Sequence, residues 1–231
     1  MSALDLTTGC SLTLDRVVCV GIALVARLLC SFIFADGELI LEGQHSEMLI
    51  HLYRIIGNAD GLPEVRRLDS LAVRLFIGEE HIQKHAIPEK ASKVARKIEE
   101  ALQSTKAPGF DVLSFSDLRY LCSRAIKLKM QLLVSPLDYH ILFFPPGMPF
   151  DRGYMEAEGV DGTPLLASQC KTKHAQLCLY PAVAQFFSPP FDQGSSVTEA
   201  LIMNKRFLAD PARNTIANAL SVVSKAIVLV E

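Results

Sequence analysis

The chain has 231 residues, 50% of them hydrophobic and 21% charged, with 23 Lys and Arg against 25 Asp and Glu and a formal net charge of -2. That balance excludes disorder, collagen and long coiled coil, and a chain of this length buries roughly 70% of its unfolded surface without help from disulfides or metals. With no basic excess, no Trp and only 5 Tyr, neither counterion release nor base stacking supports nucleic-acid affinity.

Six cysteines (Cys10, Cys19, Cys30, Cys122, Cys170, Cys178) are too sparse for a disulfide scaffold, and none forms a C-x-x-C pair. Without an N-x-S/T sequon, they make a reducing, cytoplasmic compartment the expectation. One segment opposes it. Residues 17–35, VVCVGIALVARLLCSFIFA, carry a single charge, Arg27, and have the length of a bilayer span. Three readings compete: a buried core element, a membrane-associated helix, and a signal segment. The signal reading is the poorest, because Asp5 and Asp15 stand where a basic leader is needed. The core reading leads, with the apolar run as a helix, or a strand entering one, and Arg27 paired or snorkelling to an edge.

Residues 1–15 have no helical period and are expected to be loose, with a short strand at 11–14. Asp36-Gly37 marks a turn before a short strand at 38–43, with Phe32 to Ala35 as its hairpin partner. Ser46 is placed to cap a helix through Ile56, with Met48, Leu49, Leu52, Ile55 and Ile56 on one apolar face and Gly57-Asn58 as its end. Pro63 opens a second helix, marked by Val65, Leu68, Leu71, Ala72, Leu75 and Phe76 and closed by Gly78. Pro88 opens a third, ending near Gln103, whose narrow stripe is Ala91, Val94, Ala95, Ile98 and Leu102. STKAPGF at 104–110 is a short linker and a weak seam, after which Ser116-Asp117 caps a helix to about Lys129.

The period then changes. Met130 to Ser135 and Tyr139 to Phe144 have the length of buried strands, and Ala175 to Tyr180 is another. The β-branched run Ala226 to Val230 reads as a central strand. Ser196 to Phe207 reads as one helix against the sheet, with Asp192 to Ser196 as its cap. The expected fold is therefore α+β: a helical N-terminal half packed on a small, mostly antiparallel sheet formed by the C-terminal half, in one domain covering 1–231.

The residues that could carry chemistry are few. The loop 145–164, PPGMPFDRGYMEAEGVDGTP, is long for a compact domain, and Asp151, Arg152, Tyr154 and Glu156 in it could bind a polar ligand. Its carboxylates, Glu158 and Asp161 among them, lack calcium-loop spacing. His81 and His85 are four apart and would face one way on a helix, as metal ligands must, but no third ligand accompanies them. Cys170, His174 and Cys178 have a similar spacing in a stretch that reads as strand. For nucleophilic catalysis, Cys122 would need a base such as His140, with Asp138 beside it; on the apolar face of its helix, its ordinary role is packing. There is no G-x-S-x-G, Walker-type or dinucleotide-binding glycine motif.

Three functional classes follow. The first is a non-catalytic intracellular protein-binding or scaffold domain, with another protein as partner and no cofactor. The second is an enzyme or small-molecule binder with its site at the 145–164 loop and His140. The third is a membrane-attached protein anchored by residues 17–35.

Overall fold

A computed structural model describes residues 14–35, 44–104, 114–135, 137–186, 207–208 and 219–230. Five α-helices form the N-terminal half: α1 (Leu14–Leu29), α2 (Gln44–Ala59), α3 (Leu62–Gly78), α4 (Ile87–Ser104) and α5 (Phe115–Leu133). Their main core is built on α4, whose stripe Ile87, Ala91, Val94, Ala95, Ile98 and Leu102 is buried against Leu118, Cys122, Ile126 and Met130 of α5. The four α5 residues are each one helical step of four apart, which explains why Met130 continues the helix, which runs on to Leu133, instead of opening the expected strand at 130–135. The start of α5 is also shifted from expectation. Ser114, not Ser116-Asp117, is the cap: its Oγ accepts from the Asp117 N–H at 3.2 Å, and the Asp117 carboxylate accepts from the Ser114 N–H at 3.3 Å.

Two helices carry π-helical turns. After extended Glu79 closes α3, a new helical run begins at Glu80 and passes through Ile82–Ala86 into α4, so Pro88 lies inside a longer helical run rather than at its start. Pro88 has no N–H for the Lys84 carbonyl and its ring crowds that carbonyl, and the wider turn relieves the conflict. The second π turn, Cys30–Phe34, continues α1, so Phe32 to Ala35 is not the expected strand. Its end is held from three sides. Lys129 of α5, a buried charged side chain, donates to the Ile33 carbonyl at 2.7 Å, the Phe207 N–H donates to the Phe34 carbonyl at 3.0 Å, and the Phe34 and Phe207 rings meet edge to face. A cation at the carboxyl end of a helix complements its dipole.

The C-terminal half forms two sheets rather than one. β1 (Asp138–Leu142), β5 (Ala182–Phe186) and β6 (Ala219–Ser224) are antiparallel in the order β1-β5-β6. β2 (Met155–Glu158), β3 (Pro164–Leu165), β4 (Ala175–Tyr180) and β7 (Ala226–Val230) lie in the order β3-β2-β7-β4, with β2 and β7 parallel and the other pairs antiparallel. The apolar run Ala226–Val230 is interior to its sheet, as its β-branched composition requires. The sheets share a core: Leu142, Phe144, Ala182, Ala184 and Phe186 meet Met155, Ala175, Cys178, Ala226 and Val228. Strand alternation sends Tyr139, Ile141 and Phe143 the other way, into the helical core.

On the second sheet, Leu177, Leu179, Ile227 and Leu229 lie under Cys19, Ile22 and Ala23 of α1. The helical stretch Asp15–Phe34 is long and apolar enough to cross a membrane, and 33% of its most apolar 18 residues are buried within the protein. Arg27 is exposed, with its guanidinium 4.6 Å from the centre of the Phe143 ring. Moving this helix into a bilayer would strip the four sheet residues of their cover.

Strands β5 and β6 were not expected, because Ala182–Phe186 holds only one β-branched residue and β6 follows a segment without a clear period. The helix at 44–59 begins two residues before Ser46 and continues past Gly57-Asn58. Residues 38–43, the Asp36-Gly37 turn, linker residues 105–110, and all but the last residue of the expected strand at 11–14 and of the expected helix at 196–207 lie outside the described residues; Leu14 opens α1 instead of closing a strand, and Phe207 lies in no helix.

Candidate functional site

The 145–164 loop is not an open excursion. Its backbone is sewn to the start of β4: the Gly147 N–H donates to the Ala175 carbonyl at 2.8 Å, the Ala175 N–H to the Met148 carbonyl at 2.8 Å and the Phe150 N–H to the Lys173 carbonyl at 3.0 Å. Met148, Phe150 and Tyr154 pack on the core between the sheets. The Asp151 carboxylate accepts from the Gly153 N–H at 2.8 Å, forming a turn that leads into β2. Arg152 is exposed, as is Glu156 on the outer face of β2. Asp161 accepts both the Thr163 hydroxyl (2.6 Å) and the Thr163 N–H (3.1 Å), and these bonds hold its carboxyl below the usual range. The loop's carboxylates at 151 and 161 are therefore occupied with shaping turns.

His140 lies on β1, facing the second sheet. Its ring centre is 4.5 Å from that of Phe186, and its buried Nδ1 has no hydrogen-bond partner. Burial lowers its pKa from 6.5, against the opposing pull of Asp138. Cys122 sits on α5 in the helical core, where burial pushes its thiol up to about 11; Cys30 is pushed to about 12 by the same cause. Both thiols are held protonated, the unreactive form. Thus β1 turns His140 to the sheets while α5 turns Cys122 to the helices.

His81 and His85 stand side by side across the π turn, both exposed, with ring centres 5.2 Å apart, next to the Lys84–Glu80 ion pair. Among the described residues no group of three or more His, Cys, Asp and Glu could hold a metal ion. Cys170 is buried after a short 3-10 turn, His174 is exposed in a bridge to Pro149, and Cys178 lies in β4, so an extended chain separates side chains that a helix would align.

The feature with the strongest physical anomaly is the α2–α3 hairpin. Its helices are joined by Asp60 and Gly61, and Gly61 takes φ +85°, a left-handed conformation that suits glycine. Tyr53 and Val65 are buried between the helices, with Ile56 and Leu68 packed beside them. Among the described elements, α3 is the only substantial packing partner of α2. On α3, Val73 and Phe76 face the helical core, whereas Leu71 and Leu75 are exposed.

A helix turns about 100° per residue, which places Leu71 and Leu75 on the opposite side of the α2 contact from Val73. Because α2 runs antiparallel, its Met48, Leu52 and Ile55 come out on that same outer side. All five are open to solvent, from 43% for Leu52 to 72% for Met48. Monomeric proteins rarely leave so contiguous an apolar face uncovered.

The sequence placed Met48, Leu52 and Ile55 on one apolar face without assigning what covers it. The missed signal is a spacing of four, three and four at Met48, Leu52, Ile55 and Ala59, with a matching step of four at Leu71 and Leu75: a narrow helix-pairing seam beside the one that joins the hairpin.

The class defined here is an α+β protein in which two stacked sheets support a helical half bearing a helical hairpin whose outer face no other described element covers. The chain matches no family model, and neither the curated proteins nor the solved structures include one similar to it.

Proposed function

We propose that the chain is a non-catalytic protein-binding domain whose docking surface is the outer face of the α2–α3 hairpin. The observation that carries this reading is the exposure of Met48, Leu52, Ile55, Leu71 and Leu75 on one side of a helix pair. Helical grooves and ridges with anchors at such spacings are a common mode of protein recognition. The thiols held protonated in the core and the loop carboxylates committed to turns support binding over catalysis.

The test is a photo-reactive amino acid placed at Leu71 of the full chain in cells, with Glu100, exposed on α4, as the control position. A discrete polypeptide adduct at 71 and none at 100 is the expected result. No adduct, a lipid adduct, or equal labelling at both positions overturns the reading. Membrane attachment has one observation in its favour, the length and apolarity of Asp15–Phe34. Alkaline carbonate extraction separates the two, and release of the full chain is expected because α1 stays docked on the sheet.

A further inference from the structure

We infer that the occupant of the hairpin face is a second copy of this chain, paired about a two-fold axis so that two α2–α3 hairpins close a four-helix bundle. The inference rests on the docking reading above and names the partner.

Three observations point to a copy. The first is the seam. Anchors spaced four and three apart on α2 and four apart on α3 form a narrow stripe that packs against another helix at a shallow crossing angle of about 20°. A lipid surface calls instead for a broad apolar face.

The second is size. Helices of 16 and 17 residues at about 1.5 Å per residue and about 10 Å across present a face of roughly 25 by 20 Å. Interdigitating side chains raise that projected area toward the ~800 Å² per partner of a standard interface, and the two-fold doubles it from one chain.

The third is the rim. The outer edge of α3 carries exposed Arg67 and Arg74, and the outer edge of α2 carries exposed His51 and Asn58. With the two-fold parallel to the helices, α3 lies antiparallel to α2 of the second copy. Each arginine edge then meets an imidazole and an amide rather than another arginine edge. Arg67 also keeps Glu64 3.6 Å away as a local counter-charge.

The test is sedimentation equilibrium of the full chain at micromolar concentrations. The expected mass is twice 25.4 kDa. Leu52→Glu with Leu71→Glu should raise the dimer dissociation constant at least about ten-fold. Both residues are exposed in the single chain, so an unchanged circular dichroism spectrum is expected alongside. Leu166→Glu, at an exposed leucine away from the hairpin, should leave the dimer intact.

A monomeric wild type overturns the inference, as does a dimer indifferent to the double substitution. If the wild type is monomeric while Leu71 still crosslinks to a different polypeptide, the self-pairing falls and the docking reading stands. A monomer with no adduct specific to the hairpin removes both.

Discussion

The α4–α5 pair and the α2–α3 hairpin are built alike, yet their surroundings are opposite. In α4 the stripe from Ile87 to Leu102 is buried, and α5 covers it with residues every four positions. In the hairpin, Tyr53 and Val65 close the seam between the helices, but a second set of apolar residues on the same two helices meets nothing in the described protein. Helical period says which side of a helix is apolar. It does not say whether the covering element belongs to the same chain.

Replacing core and outer residues separates the two regions most sharply. Ile98→Ala should cost about 2–5 kcal/mol, since it empties a fully buried site in α4. In urea titrations its loss should be independent of protein concentration. Leu52→Ala should move the midpoint of a dilute sample by no more than about 0.5 kcal/mol, and should weaken only a concentration-dependent part of the stability. Equal losses in dilute samples would mean that the hairpin face is covered within the chain.

The covered side has two smaller supports. Lys129→Ala removes the donor to the Ile33 carbonyl and should cost about 1–3 kcal/mol in the same titration; a neutral result would show that this buried ammonium does not hold α1 to α5. Ser114→Ala removes the cap of α5 and should cost about 1 kcal/mol by thermal unfolding. Neither change should alter the monomer–dimer equilibrium, because both lie away from the hairpin face.

The smallest expected effect is a dependence on acid between the sheets. Burial lowers the folded pKa of His140 below 6.5, so the folded state binds this proton less readily than the unfolded chain. The contribution is present above about pH 6.5 and is lost as the pH falls from there through the folded value. Urea midpoints of the wild type and His140→Phe, followed from pH 7.5 down to 5.5, should diverge in that direction. Parallel curves would remove His140 as the cause.

Much of the fold was legible because local rules and tertiary packing agree. Ala175–Tyr180 and Ala226–Val230 are strands at the expected residues, since their composition suits a strand buried in a sheet. The helices at 44–59, 62–78, 87–104 and 115–133 follow their apolar periods. The missing parts depend on partners distant in sequence. β5 is a strand because β1 and β6 supply its ladders, and its small alanines are useful only against the second sheet. The loop at 145–164 is ordered by the residues just before and at the start of β4.

What the sequence by itself determined is the α+β division, the apolar faces of the helices, the interior C-terminal strand and the inert setting of Cys122. All are set by spacing and composition over a few turns of chain. Only the tertiary structure decided that the strands form two sheets, that α1 covers one of them, that His140 is turned toward Phe186, and that the α2–α3 hairpin keeps an apolar face outward. Each of those depends on which surface meets which, and burial is a property of pairs of surfaces that no single segment carries.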